Sequence, residues 1–235
     1  MPGLRITEIR TEYSKPKVEF IELFTTSAGN LGALSVITAL NGTDKPLYEF
    51  PPIEVAQGEY IVLHLRTVEE GCVDELTGDL GRSVGTDASP LARDIWISGS
   101  EERLRKTDGV ALLDQDGAVL DAVLFSEYTT GDWQKNELAR FSSFLAGTSA
   151  WSKIEGQGGP ILPQDASGSA ATTTTRTICR DEAVPDSNSA RDWYVTVTSG
   201  ATPGLPNRTE RYSETAKTVK VIKSKGAMTV NKKKK

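Results

Sequence analysis

Two short segments, separated by more than 160 residues, constrain the fold of this chain most strongly. Residues 19–23, Glu-Phe-Ile-Glu-Leu, have the composition of a half-buried β-strand. Residues 186–193, Asp-Ser-Asn-Ser-Ala-Arg-Asp-Trp, are typical of a polar turn that leads into a strand, and Thr-Pro-Gly-Leu-Pro-Asn at 202–207 ends that strand. Because one segment opens a β structure and the other closes it, we predict a single β domain over residues 3–207.

Short apolar and β-branched runs predict further strands between these two segments. The runs are 4–10, 31–40, 58–65, 173–180 and 193–198. Residues 108–125 form a predicted hairpin whose turn is 114–117, since Asp-Gly is the pair that a primed turn prefers. An all-β fold is therefore expected.

Two segments interrupt the β pattern. Residues 67–107 contain five glycines and show no sustained period, so they are predicted to form a long loop. Residues 126–175 insert a predicted helix at 132–146, with Asp132 as its cap and apolar residues at helical spacing. Long loops at the ends of a β domain often supply its binding contacts.

Charge is divided unequally along the chain. Residues 1–207 hold 17 basic and 30 acidic residues, net −13, whereas 208–235 hold ten basic and two acidic, net +8. This tail is too polar to bury much surface, and we predict that it is mobile. It is an interaction tail, a segment that folds back on its own acidic body, or a solvated tail.

The tail also contains candidate binding residues. Lys220, Lys223 and Lys225 are the candidates for contact with an anionic surface or polymer. Residues 219–223 alternate enough to add as a strand to a sheet edge, either the chain's own or a partner's.

Other compositional features bear on compartment. No run of about 18 apolar residues occurs, so no membrane span is predicted. The first six residues lead directly into a strand, without the apolar stretch of a secretory signal, which indicates a cytoplasmic protein or a mature form. Whether Cys72 and Cys179 form a disulfide is open, because sequence does not give their distance.

Residues suited to catalysis are sparse. His64 is the single histidine and lies within a predicted strand, so we assign it a structural role. Glu19 and Glu22 differ in strand parity and face opposite sides, which disfavours paired acid–base chemistry and favours solvation or a structural ion pair. We predict no catalytic residue and no enzyme activity. A calcium-dependent hydrolase is the least favoured of the functions considered.

Asp186, Asn188 and Asp192 allow two interpretations. Their oxygens are hard ligands of the kind that Ca²⁺ prefers, which makes calcium the one candidate cofactor. The same side chains hydrogen-bond their own backbone in turns. The turn is favoured, because the glycine and the distal glutamate of an EF-hand loop are missing.

Two of the four tryptophans are candidate partner contacts. Trp133 and Trp151 flank the predicted helical insertion, where an exposed ring could meet a protein or stack on a sugar. Trp193 lies in a predicted strand and is expected in the core.

Taken in order, these segments resemble the lamin tail domain family, an immunoglobulin-like β-sandwich found in nuclear lamins and many bacterial envelope and secreted proteins. The resemblance covers about residues 3–207, and the 67–107 segment and the helical insertion depart from the family pattern. It rests on the order and spacing of Leu-Arg-Ile-Thr-Glu-Ile at 4–9, Glu-Phe-Ile-Glu-Leu at 19–23, Phe-Pro at 50–51 with 58–63, Asp-Gly-Val-Ala-Leu-Leu-Asp at 108–114 with 117 and 121–123, Asp-Ser-Asn at 186–188 with 192–193, and 202–207.

The resemblance implies an accessory module for binding or structure, with no catalytic residues to transfer. The leading hypothesis is a non-enzymatic structural or interaction module of the bacterial cell envelope or surface, located outside the cytoplasm. It would bind a protein partner through the 67–107 and 126–175 loops, with electrostatic help from the lysine-rich tail. The alternative is a binding module for glycan or nucleic acid.

Overall fold

The computed structural model describes residues 1–154 and 159–214, which are mostly β-strands in sheets with one short helix. The expected all-β class is confirmed at that level. The helix is α1 (Asn136–Ala146), and 3₁₀ turns cover Pro163–Asp165 and Ala190–Asp192. The strands are β1 (Gly3–Arg10), β2 (Phe20–Ser27), β3 (Gly29–Asn30), β4 (Ser35–Thr38), β5 (Tyr48–Glu49), β6 (Glu54–Val55), β7 (Tyr60–His64), β8 (Ala92–Trp96), β9 (Asp108–Leu113), β10 (Val119–Ser126), β11 (Ser167–Gly168), β12 (Ile178–Arg180) and β13 (Trp193–Val195).

Eleven of these strands form two large sheets. The first sheet has the order β13-β12-β1-β2-β7-β8 and the second β11-β10-β9-β4-β5, while β3 and β6 form a separate pair. Strands β7 and β8 run parallel. Parallel neighbours need a crossover connection of a dozen or more residues, so the length of the segment between His64 and Ala92 follows from the topology.

One face of the first sheet is apolar. Its register aligns a row of isoleucine and leucine side chains across β12, β1, β2, β7 and β8, and all of them are fully buried. This row belongs to the same apolar cluster as the buried residues of β9 and β10 in the second sheet. The two sheets therefore share one core. The row is Ile178, Ile9, Ile21, Leu63 and Ile95.

The opposite face of the first sheet is buried as well, and we call it the polar face because charged side chains lie there beside a small apolar cluster of Phe20, Tyr60, Val62 and Ala92. Residues 66–91, between β7 and β8, and the loop around 202–204 cover it. Its two central rows are Cys179, Glu8, Glu22, Val62 and Asp94, and then Arg10, Phe20, His64 and Trp96.

Three expectations about secondary structure need correction. The 67–107 segment contains β8, whose charged residues Arg93 and Asp94 obscured the apolar pattern. The helix begins at Asn136 instead of 132, and Lys135, not Asp132, is the residue before it. Among residues 114–117 of the hairpin turn, only Gly117 has a positive φ, 79°.

The beginning of the basic tail is ordered, contrary to the prediction of a mobile tail from 208 onward. The backbone N–H of Tyr212 donates to the carbonyl of Val195 at 2.8 Å, next to a β-bridge between Thr196 and Arg211. The Arg211 side chain also pairs with Asp181. Residues 208–214 thus lie along the edge strand β13, and the remainder of the tail lies outside the described residues.

Helix α1 has 11 residues, and its buried side chains pack against the shared core. Within 1–154 and 159–214, no helix has the length and apolar character that crossing a bilayer requires.

Candidate interaction surface

The two tryptophans predicted to meet a partner have structural roles. Trp151 is 3% exposed and its indole N–H donates to the carbonyl of Asp165 at 3.1 Å, so its assignment as an exposed contact is wrong. Trp133 is half-buried, donates to the carbonyl of Ile161 at 2.9 Å and packs against the core. Both indole rings therefore stabilise the packing of the 126–175 segment against the core.

The turn interpretation of Asp186, Asn188 and Asp192 is confirmed. The carboxylate of Asp192 accepts the backbone N–H groups of Ser187 and Ser189 at 3.0 and 3.1 Å. Asp186 accepts the N–H of Asn188 at 3.0 Å, and its other oxygen pairs with an arginine. In the described ranges, no three His, Cys, Asp or Glu residues are grouped to hold a metal ion.

The lysine candidates Lys220, Lys223 and Lys225, and the alternating segment 219–223, lie outside the described residues. Cys72 and Cys179 are both free thiols, so the question of a disulfide is answered against pairing. Burial and the neighbouring Glu8 carboxyl raise the pKa of the Cys179 thiol.

His64 belongs to a buried pair on the polar face. Its Nε2 lies 2.7 Å from a carboxylate oxygen of Asp94, and both side chains are fully buried. Its ring stacks on Trp96 with centroids 3.7 Å apart, and Phe20 meets it edge-on. Since solvent does not reach the ring, this arrangement favours the structural role over catalysis.

Glu8 and Glu22 form a second buried pair, in adjacent positions of β1 and β2. Burial raises the pKa of both carboxyl groups, and the proximity of Glu8 raises that of Glu22 further. Each accepts a backbone N–H from the covering loop, Thr202 on Glu8 at 3.0 Å and Gly204 on Glu22 at 2.7 Å. The expectation that Glu22 is solvated is wrong, whereas Glu19 forms the expected ion pair, with Arg66.

The segment between β7 and β8 is fixed by buried carboxylates, so it is not a free loop. The carboxylate of Glu75 accepts three backbone N–H groups, those of Arg82, Ser83 and Asp94, at 2.6 to 3.0 Å. Charge-assisted hydrogen bonds of this kind are about twice as strong as neutral ones. They join the two arms of the segment to each other and to β8.

Two further contacts attach this segment to the sheet. Asp87 accepts the Arg10 guanidinium at 2.5 Å and the N–H of Val18 at 2.7 Å. Arg93 of β8 donates to the carbonyls of Glu75 and Thr77, both at 2.5 Å. The segment therefore has a defined surface.

Exposed large hydrophobic side chains are concentrated on this segment. Of the ten large hydrophobic side chains exposed in the described part of the chain, five lie on residues 73–91. The two arms that carry them are joined by backbone contacts, such as the Val84 N–H to the Gly71 carbonyl at 3.2 Å. Clustered exposed apolar residues mark interaction sites, whereas scattered ones do not. We call these five residues the loop surface: Val73, Leu76, Leu80, Val84 and Leu91.

An acidic rim accompanies the loop surface. Residues 67–91 contain six acidic residues and one basic residue. Two of the six, Glu75 and Asp87, are buried in the contacts above, which leaves four near the surface. These four, the acidic rim, are Glu69, Glu70, Asp74 and Asp79.

A groove lies where the two predicted partner-binding loops meet. This groove of about 390 Å³ is lined by residues 105–108 and by parts of 127–138. Arg105 and Glu137, which both line it, form an ion pair at 3.3 Å. Asp108 also lines the groove. Burial raises the pKa of its carboxyl group to about 7, although three backbone hydrogen bonds act to lower that pKa. Its lining holds three basic and three acidic residues, together with the apolar or aromatic residues Leu40, Tyr128 and Leu138.

The sequence analysis singled out the 67–107 segment but did not predict which of its residues are exposed and apolar. The signal was present in part, since Val73, Leu76, Leu80 and Val84 are apolar residues in a stretch without strand or helix period. Whether an apolar residue in a loop is buried or exposed depends on the contacts that hold the loop in place. The residues that make those contacts, Glu75 and Asp87, look like ordinary surface acids in the sequence.

The fold and this surface together define an all-β domain with a fixed, apolar connecting loop. The chain belongs to the TP_1001_2nd family, whose model, described as "protein second domain", matches residues 2–195.

A curated relative comes from Treponema pallidum (strain Nichols) and has the name "Uncharacterized protein". It is 32% identical to this chain over 125 residues, which are 52% of this chain and 31% of the relative. The match therefore spans less than a third of the relative's length.

Proposed function

We propose that this chain is a non-enzymatic interaction module that binds a protein partner through the loop surface. The observation that supports this most is the concentration of five exposed apolar side chains on a segment held in place by buried carboxylates. A pre-formed apolar surface loses little conformational entropy when a partner covers it.

The enclosed position of the ionisable pairs supports a role without catalysis. His64, Asp94, Glu8 and Glu22 are all fully buried, and their hydrogen bonds connect strands and covering loops. A reaction would require one of these groups to reach a substrate.

We further propose that the two sheets form an immunoglobulin-like sandwich of the lamin tail type. The shared core and the mostly antiparallel strands support this assignment. A location in the cell envelope, outside the cytoplasm, rests on that resemblance and is part of the same proposal.

The test is a binding measurement on a loop variant. The full chain, immobilised, would capture partners from envelope extract, and the identified protein would be purified and titrated against the chain. Leu76→Ser/Leu80→Ser/Val84→Ser should bind at least about tenfold more weakly, since burying one leucine contributes about 1.5–3 kcal/mol and 1.4 kcal/mol is tenfold.

Two control variants separate this surface from others. Val184→Ser removes a similarly exposed residue, 44% accessible, from a different loop and should leave the affinity unchanged. Tyr128→Ser alters the groove beside Asp108. If the loop variant, folded by circular dichroism, binds as tightly as the wild type, or if only Tyr128→Ser weakens binding, the proposed surface is wrong.

A further inference from the structure

The apolar residues of the loop surface lie near one another because the stretches of chain that carry them are packed side by side. A Cβ atom added at Gly71 would meet the Val84 side chain, and one added at Gly81 would lie 3.6 Å from the Cβ of Pro90. Residues 71–73, 80–84 and 90–91 are therefore neighbours. Their large apolar side chains are 38% to 73% exposed. Apolar side chains grouped in this way are typical of an interaction site.

Within the described chain, the carboxylates of the acidic rim have no ion-pair partner. No lysine or arginine in residues 1–154 and 159–214 forms an ion pair with any of the four. Exposed carboxylates elsewhere do form such pairs, for example Glu101 with Arg103 at 3.0 Å. The apolar side chains thus lie beside negative charge that a partner can complement.

This negative charge selects among classes of partner. Nucleic acid and anionic lipid both carry dense negative charge, which the acidic rim repels. A second copy of the same surface would bring like charges together, at a cost in binding free energy. A partner surface with positive charge gains from the same carboxylates and associates faster.

The edge of β8 is closed, so a partner meets this region through side chains. The carboxylates of Asp74 and Glu75 accept the backbone N–H groups of Trp96 and Asp94 at 2.7 and 3.0 Å. Addition of a partner strand requires such N–H groups to be free. Recognition through apolar and charged side chains remains.

We propose that the loop surface and the acidic rim together bind a basic, amphipathic segment of a protein partner. Its apolar side chains cover Leu76, Leu80 and Val84, and its lysines or arginines lie against Glu70 and Asp79. This partner chemistry rests on the proposed function of the loop surface as a binding site.

A synthetic helical peptide of leucine and lysine, with the leucines on one face, is the probe for this chemistry. Two control peptides carry glutamate in place of every lysine or serine in place of every leucine. Each is titrated against the full chain by fluorescence anisotropy in about 0.1 M salt, where the Debye length is about 10 Å. The leucine–lysine peptide should bind at least about tenfold more tightly than either control.

Matched charge variants locate the binding. Glu70→Lys/Asp79→Lys should bind the leucine–lysine peptide at least about tenfold more weakly than the wild type. Asp44→Lys/Asp116→Lys changes the net charge equally, at exposed residues outside the loop surface, and should leave the affinity within about twofold. Circular dichroism checks that both variants are folded. Equal weakening in the two variants, or none in Glu70→Lys/Asp79→Lys, would overturn the proposal.

The partner chemistry and the proposed function fail in different measurements. If the leucine–glutamate peptide binds as tightly as the leucine–lysine peptide, and Leu76→Ser/Leu80→Ser/Val84→Ser weakens both, the loop surface stands and the basic partner is rejected. The proposed function itself fails if the purified natural partner binds this serine variant as tightly as the wild type.

Discussion

At the residue scale, buried carboxyl groups with raised pKa values make the stability of this protein depend on pH, and Glu8 and Glu22 are an adjacent pair among them. Arg10 and Cys179 lie near Glu8, while Thr7, Tyr60 and Glu182 lie near Glu22. Burial raises both pKa values above those of the unfolded chain. A raised folded-state pKa contributes stability that is full below the unfolded value, about 4.3, and is lost as pH rises through the folded value.

We therefore expect the free energy of unfolding to decrease as pH rises above about 5, by up to about 1.4 kcal/mol per pH unit for each proton involved. Glu22→Gln removes one titrating carboxyl and keeps an oxygen for the Gly204 N–H. It should flatten this dependence and be more stable than the wild type at pH 8, as measured by urea denaturation from pH 4 to 9. Glu49→Gln, on an exposed strand residue, is the control. An unchanged slope in Glu22→Gln would contradict the assignment.

Single residues also show where sequence reasoning ended. The structural role of His64 was predictable from its place in a strand, but its partner Asp94 was not, because it lies 30 residues away on an unpredicted strand. The polar turn at 186–192 was predictable, since Asx residues bond locally. The burial of Trp151 depends on Asp165, a contact that no local pattern indicates.

At the element scale, β8 and the segment before it form one unit. Strand β8 is the last strand of its sheet, so one of its edges has no neighbouring strand. At that edge, the carboxylate of Asp74 accepts the Trp96 N–H at 2.7 Å and that of Glu75 accepts the Asp94 N–H at 3.0 Å. Sheet edges protected in this way do not pair with other chains. Strands with a row of buried isoleucines, such as β1 and β2, were predictable; β8 was missed because its charges are buried only through partners elsewhere in the sequence.

Glu75→Ala should release this unit without unfolding the domain. It leaves three backbone N–H groups without their acceptor, at about 1–3 kcal/mol for each group that stays buried. Amide exchange across residues 71–84 should accelerate at least about tenfold, while that of β1 and β2 stays unchanged.

The matched control is Asp79→Ala, a carboxylate at the exposed tip of the same segment. It should leave amide exchange as in the wild type. Equal exchange rates for Glu75→Ala and the wild type would mean that other contacts hold the segment.

At the scale of the whole molecule, two sheets bury one apolar face together, and the first sheet carries a polar second face under covering segments. The all-β class could be predicted from short segments of alternating apolar and polar residues and from the turn residues between them. The loop surface could not, because its exposure depends on how buried acids hold a connection whose length the parallel β7–β8 pair imposes. The unequal charge of body and tail was visible in the sequence.

The most direct measurement is an amide-exchange footprint of the full chain with and without its purified protein partner. We expect protection to be concentrated on residues 73–91, with little change on the 114–117 turn and the second sheet. Protection confined to the groove formed by 105–108 and 127–138, or to the second sheet, with 73–91 unchanged, would contradict the assignment of the loop surface as the binding site.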